Sequence, residues 1–168
     1  MPDITPDEFR RVMGRLATGV TIVTTRAGDD VHGTTMSAVC SVSLQPQLVL
    51  VCVDHESDIQ ALIRESGVFA INILHEGQAG LAVELSHKGT PEQQAAHRLE
   101  NLPHRNGATG APLLEDSLAH VECRVEDTVE AGDHTIYVGS VVGAGVSPSA
   151  DRPLLHYGGR YGSLSSDS

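Results

Sequence analysis

The chain has 168 residues, 11 basic against 22 acidic, for a formal net charge of −11 with histidine neutral; that length suits one domain with a sizeable buried core. Hydrophobic residues at 40% and charged residues at 20% exclude a disordered chain, and the longest apolar run, Leu48 to Val53, falls far short of the about 20 residues that cross a bilayer. An acidic surface with no Lys/Arg cluster interleaved with aromatics argues against nucleic acid, and an N-terminus carrying Asp3, Asp7 and Glu8 shows no secretory signal, so a cytoplasmic protein without membrane association is expected.

Thr5-Pro6-Asp7-Glu8 predicts a helix start, with Thr5 at the N-cap, Pro6 at the first helical position and Glu8 closing a capping box. Phe9, Val12, Met13 and Leu16 follow on one face, and Gly19 is the expected stop. Val20 to Thr25 is β-branched and predicts a strand. Ala27-Gly28-Asp29-Asp30 is turn chemistry, after which an irregular β-prone stretch runs from Val31 to Val42 as the second arm of a hairpin. Gln45-Pro46 breaks it. Leu48 to Val53 is apolar at every position, as expected of a central strand covered on both faces.

Ser57-Asp58 predicts the cap of a short helix with Ile59, Leu62 and Ile63 inward and Ser66-Gly67 as its stop. Val68 to Leu74 is a further strand, Gln78 to Leu85 a second short helix, and Gly89 to Pro112 a long excursion with one helical turn. Ser117 to Val129 and His134 to Val146 are β-prone runs joined through Glu130 to Asp133, and Leu154 to Tyr157 is a last short strand before a Gly-rich end. With about six or seven mostly hairpin-linked strands and no β-α-β alternation, an antiparallel barrel with appended helices is the simplest architecture.

Several chemistries lack their signatures. Cys40, Cys52 and Cys123 are odd in number and far apart, which predicts buried or half-buried reduced thiols rather than a disulfide framework or zinc site. The nine histidines form no H-E-x-x-H or H-x-H pair, so no metal is expected. No G-x-S-x-G is present, Gly143-Ala144-Gly145 opens no helix, and Gly107 to Pro112 has no P-loop lysine. The most informative stretch is Gly33 to Ser43. Its hydroxyls on Thr34, Thr35, Ser37, Ser41 and Ser43 sit among small residues and suit a phosphate or polyol held without net positive charge. A strand with solvent-facing hydroxyls is the plainer reading.

Phe9 through Thr18-Gly19-Val20 and Ile22-Val23-Thr24-Thr25, the Gly33 to Ser43 segment with Leu44 and Pro46, the Leu48 to Val53 strand, Ser57, Ser66-Gly67 with Phe69-Ala70-Ile71-Asn72 and Leu74, Gly110 to Leu114, and Gly132-Asp133-His134, in this order and spacing, resemble the flavin reductase-like family. The resemblance covers essentially the whole chain. It implies a mainly β fold: an antiparallel six- to seven-stranded split β-barrel of Greek-key type with two or three short flanking helices. One domain over 1–168 is expected, with 162–168 as a flexible tail. The implied activity is NAD(P)H:flavin oxidoreduction, hydride passing from NADH or NADPH to N5 of FMN or FAD. The implied partners are a second copy, as a homodimer, and a separate flavin-dependent monooxygenase that receives the reduced flavin.

The resemblance also assigns roles. In similar proteins the segment matching Thr34, Thr35, Met36, Ser37, Ala38, Ser41, Val42 and Ser43 lines the flavin, and Asp54, Ser57, Asp58 and Ile59 match a strand end and helix start that close over its phosphate. His134 matches a catalytic histidine beside nicotinamide and flavin, with a positioning and electrostatic role. Tyr161 matches an aromatic that covers the nicotinamide pocket, and His87 falls at the outer edge of the cofactor site. Plainer readings are a helix cap for Asp58, a hairpin end for His134 and an exposed tail residue for Tyr161. Gln47 stands where a second proline is common, Asp54 where an asparagine often is, and Glu84 to His87 where a Phe-Ala pair is usual, which leaves FMN against FAD open. A flavin carrier, or a split-barrel flavoenzyme oxidising its own substrate in the manner of pyridoxamine-phosphate oxidases, are the rival classes.

Overall fold

The computed structural model describes residues 4–86, 99–149 and 152–165. Helix α1 (Pro6–Met13) starts with the expected capping box: Thr5 Oγ1 accepts from the Glu8 amide at 3.3 Å and the Glu8 carboxylate accepts from the Thr5 amide at 2.9 Å. Gly14 caps its C-terminus, so the helix stops before Leu16, and Gly19 lies instead in the two-residue strand β1 (Thr18–Gly19). No residue of α1 is buried; Phe9, Val12 and Met13 are exposed.

Strands β2 (Thr21–Ala27) and β3 (Asp30–Met36) form a hairpin that turns at Gly28, whose φ of 60° suits glycine. The irregular stretch expected from Val31 to Val42 is two strands, broken at Ser37-Ala38 before β4 (Val39–Leu44). Strand β5 (Gln47–Asp54) pairs back on β4, and α2 (Asp58–Ser66) ends at left-handed Gly67. Then come β6 (Val68–Ile73), a 3₁₀ turn at Glu76–Gln78 and α3 (Ala79–Glu84). The described part of the expected long excursion holds a 3₁₀ turn (Leu99–Asn101) and a short hairpin of β7 (His104–Asn106) and β8 (Pro112–Leu114). Long strands β9 (Ala119–Ala131) and β10 (His134–Val146) follow, then β11 (Leu155–Tyr157) and β12 (Arg160–Gly162). Gly162, expected to open a tail, is therefore the last residue of a strand, and Arg152 donates to the Leu164 carbonyl at 3.2 Å.

Seven of these strands form one antiparallel sheet in the order β3-β2-β6-β9-β10-β5-β4. Its two edge strands are consecutive in the chain and joined through Ser37-Ala38, so the sheet curls until its ends meet there: a split barrel. Inside lie Val23, Met36, Val51, Val53, Phe69, Ile71, Cys123 and Tyr137, with Ile59 and Ile63 of α2 packed against them. A second cluster, Val20, Ile22, Val31 and Leu74, packs on the outer face against Ala82 and Leu85 of the α3 segment, Leu99 and Leu154. Asn72, fully buried, ties β8 to this frame: its amide donates to Ile22 O at 3.1 Å and its carbonyl accepts from Leu114 N at 2.8 Å.

The β5 run departs from expectation. It is second from the sheet edge, with Val51 and Val53 buried in the barrel but Leu48, Leu50 and Cys52 only half-buried on the other face. Cys40 is exposed, Cys52 half-buried and Cys123 buried, so the expectation of concealed thiols fails at Cys40.

With no tryptophan and two phenylalanines in the chain, the barrel is filled largely by Phe69 and Tyr137, and Phe69 needs the space that a glycine leaves. A Cβ on Gly139 would lie 2.5 Å from Phe69 Cζ and 2.7 Å from Cys123 Cβ. Gly139→Ala should therefore destabilise the fold by about 1–3 kcal/mol, the usual cost of overpacking, read as a lower urea midpoint with an unchanged slope.

Candidate functional site

Adjacent strands bring many of the candidate residues to one end of the sheet. Asp54, at the end of β5, lies opposite His134, at the start of β10. On the other side of β5 the Cys52 amide donates to the Ala38 carbonyl at 3.0 Å, which sets the Ser37-Ala38 seam beside the same strand end. Ser57 and Asp58 follow at the N-terminus of α2. Ser37, Ala38, Asp54, Ser57, Asp58 and His134 thus share one rim. Ser41, Val42 and Ser43 run away from it along β4, with an exposed bulge at Val42.

His134 is delivered by a two-residue hairpin. Ala131 pairs with His134, and Gly132, at φ 67°, is the first central residue of a type II′ turn. The imidazole Nδ1 donates to Asp133 Oδ1 at 2.7 Å, and about 40% of the His134 side chain is exposed. That bond holds the Asp133 carboxyl below the ordinary aspartate value. An ionised Asp133 keeps the proton on Nδ1 and leaves Nε2 as the ring atom available to a ligand. Sequence reasoning treated Asp133 only as part of a motif; its place next to the histidine was the signal.

At the other side of the rim, Asp54 Oδ1 accepts from the Glu56 amide at 2.8 Å and Asp54 O from the Ser57 amide at 3.0 Å, which shapes the entry to α2. The Ser57 hydroxyl makes no capping bond. The first-turn amides of a helix have no intrahelical partner, so this end offers neutral donors and a favourable dipole to an anion. From Asp54 and His134 the same sheet face continues through Cys52, Leu50, Ile136 and Val138, all half-buried and apolar. Neutral donors at the helix end, small residues at the seam and an apolar wall fit the phosphate, the polyol chain and the ring of a flavin respectively. Desolvation, with a smaller contribution from Cys40, pushes the Cys52 thiol up. Burial, ahead of the nearby Glu122, pushes Cys123 up to about 12, so it stays an unreactive thiol.

Other candidates stand differently. The Thr34 and Thr35 hydroxyls donate to Leu85 O at 3.2 Å and Ala82 O at 2.8 Å, so their protons are committed to the α3 segment and only their lone pairs remain for a ligand. Met36 and Ile59 turn their side chains into the core, leaving main-chain groups as their contribution. Tyr161 belongs to a separate three-stranded sheet, β1-β11-β12, edge-on to His156 at 5.6 Å and packed beside the outer cluster; burial pushes its hydroxyl up. His87 lies outside the described residues.

Residues 13–165 match the family model described as the flavin reductase like domain. The chain is 39% identical over 153 residues, 90% of its length and 78% of the relative's, to a flavin reductase (NADH) of Kitasatospora aureofaciens. It is 39% identical over 157 residues, 92% of its length and 79% of the relative's, to the reductase component of a 4-nitrophenol 4-monooxygenase/4-nitrocatechol 2-monooxygenase of Rhodococcus opacus. In structure it is similar to the NADH:FAD oxidoreductase SgcE6 of Streptomyces globisporus in complex with NAD and FAD fragments, at a TM-score of 0.86 and 32% identity, covering 100% of this chain and 99% of that one.

Asp133→Asn should abolish the preference of His134 for the Nδ1-protonated form, read from imidazole ¹⁵N shifts. Because the Asp133 value is lowered by the bond, the interaction is present above the ordinary aspartate range and lost as pH falls through the folded value. The Asp133 carboxyl ¹³C shift followed with pH should therefore show a midpoint below the ordinary aspartate range in the wild-type protein.

Proposed function

The chain belongs to the flavin reductase-like family, and from that membership we propose that it reduces FMN or FAD at the expense of NADH and passes the reduced flavin to a separate monooxygenase. The observation that carries the reading is the rim itself, where a hydrogen-bonded histidine, a helix N-terminus and an apolar sheet face occur together in a chain similar to one solved in complex with NAD and FAD fragments. When both are bound, nicotinamide and flavin supply the redox chemistry, a hydride moving from nicotinamide C4 to flavin N5.

The protein's own residues bind and orient. Ser57 and the amides of Asp58 and Ile59 receive the flavin phosphate; Ser37, Ala38, Ser41 and Ser43 serve the polyol chain and ring edge, with Thr34 and Thr35 as acceptors. His134, its Nδ1 proton held by Asp133, uses Nε2 to fix the nicotinamide end. Tyr161 and His87 are assigned to the margin of the same pocket. NADH is taken as the donor because the Kitasatospora relative is named a flavin reductase (NADH).

The protein works as one domain and as a homodimer, in the cytoplasm. An antiparallel strand with one wet face alternates apolar and polar residues, yet β5 is apolar from Leu48 to Val53 while the sheet leaves Leu48, Leu50 and Cys52 half-buried. A second copy over the part of that face that the flavin ring leaves open resolves the mismatch. No described helix is long and apolar enough to cross a membrane.

NADH oxidation at 340 nm should start only when FMN or FAD is added. Flavin binding without NADH oxidation would make the protein a carrier. His134→Ala should raise KM for NADH by about tenfold while leaving flavin affinity within about twofold. Sedimentation should give about twice the 17.8 kDa chain mass, and Leu50→Glu should halve it.

A further inference from the structure

Behind His134 lies a hydrogen-bond hub centred on the next residue of the strand. Thr135, the next residue of β10, is fully buried. A threonine hydroxyl has one proton and two lone pairs, and this one uses all three: Oγ1 donates to Glu130 Oε2 at 3.2 Å, accepts from Gln60 Nε2 at 3.1 Å and accepts from His55 Nε2 at 3.1 Å. With the Thr135 proton given to Glu130, His55 must carry its own proton on Nε2, which it shares with Glu130 Oε2 at 3.0 Å. The other Glu130 oxygen accepts from Arg64 Nη2 at 3.1 Å. The hub thus ties together the last turn of β9, the start of β10, the entry to α2 and α2 itself.

The two sides that it joins are not equally secure. Helix α2 is held independently by Ile59 and Ile63, both fully buried, and by Tyr137, whose hydroxyl donates to Gln60 O at 3.3 Å. The hairpin tip has no such anchor: Ala131, Gly132 and Asp133 are all exposed. Among the described residues, beside the strand ladder, the hub through Thr135 and Glu130 and a backbone bond from His55 N to Asp133 O at 3.0 Å tie it to the entry of α2 and to α2 itself. Loss of the hub therefore loosens the tip that carries both Asp133 and His134 while leaving α2 in place.

We propose that Thr135 is a positioning residue for nicotinamide, acting through His134 by pinning the hairpin tip, together with its strand partner Glu130, to His55 and Gln60. This rests on the assignment of His134 to the nicotinamide given above. Misplacing a binding group by a fraction of an ångström costs more in the ligand that it orients than in one held elsewhere, so the two substrates should separate.

Thr135→Val keeps the shape and deletes the hydroxyl; Thr135→Ser keeps the hydroxyl. The valine variant should raise KM for NADH by about fivefold with flavin KM within about twofold, and the serine variant should stay within about twofold of wild type on both. In the His134→Ala background, Thr135→Val should add nothing. In the ligand-free protein, hydrogen exchange at the His55 amide should quicken in the valine variant and not in the serine variant. An unchanged NADH KM in Thr135→Val, or a rise equal for flavin and NADH, or a full effect persisting without His134, overturns the proposal. His134→Ala indistinguishable from wild type overturns the reading of His134 and this proposal with it, whereas an effective His134→Ala beside a silent Thr135→Val overturns this proposal alone. If Thr135→Val does not fold, Gln60→Met removes one donor to the same hydroxyl and should move NADH KM alone, in the same direction; no change there overturns the proposal.

Discussion

The contact on which the rest depends is the phenyl ring of Phe69 lying against Gly139. Few aromatic side chains are available, so the barrel closes around Phe69 and Tyr137, and the ring approaches the β10 backbone where only a glycine leaves room. At this point the ladder between β9 and β10 slips: Val138 faces Asp127 but Gly139 faces Val125, with Glu126 as the extra residue. A second slip follows at Val142, this time on β10, and restores the original register before the strands end. Between the two bulges sit Cys123, Val125, Gly139 and Val141, the segment against which Phe69 packs. Bulges bend a strand and sharpen its twist, and these two frame the part of the sheet where it curls most tightly around its core.

The chain's charge sets the terms for its ligands. At −11 overall the long-range field disfavours nicotinamide and flavin phosphates alike, and the rim itself adds Asp54, Asp58 and Asp133. Binding therefore has to be local. Backbone amides at the start of α2, a free serine hydroxyl and an apolar wall act over a few ångströms, where hydrogen bonds and desolvation outweigh the distant charge. Asp133 is spent on His134 and Asp54 on the Glu56 amide, so these carboxylates have partners in the protein and help to build the rim.

Much of this was legible in the sequence because it is local. The Thr5 capping box, the Gly67 stop, the β9 and β10 runs and the Gly-Asp-His turn all depend on neighbours a few residues apart. The errors have physical causes too. Leu48 to Val53 reads as a strand covered on both faces because an unbroken apolar run does not say which of its residues the fold will cover, and here only Val51 and Val53 are buried. Gly19 reads as the helix stop because the apolar spacing runs on to Leu16, whereas the nearer Gly14 ends the helix. Strands β7 and β8 are three residues each and carry too little pattern to see. Thr34 and Thr35 looked like free hydroxyls because nothing local shows that Ala82 and Leu85 will take their protons. The Thr135 hub was invisible for the same reason: His55 and Gln60 lie far back in the chain, and neither residue type signals the other.

The bulge at Glu126 has a consequence of its own. Along a strand, side chains alternate between faces with strict two-residue phase. Val121, Cys123 and Val125 point into the barrel; the extra residue then inverts the phase, so that beyond it the even-numbered positions stand on the inner side. Glu130 opposite Thr135 is one of them, and Val129, opposite Ile136, is left outside. Without the inversion a valine would occupy the place of the carboxylate and the carboxylate would face outward. The chemistry at the hairpin tip is thus set by a count of residues made well upstream of it. Val125 and Glu130 lie an odd number of positions apart, so only the extra residue between them lets a core valine and the tip carboxylate face the same way.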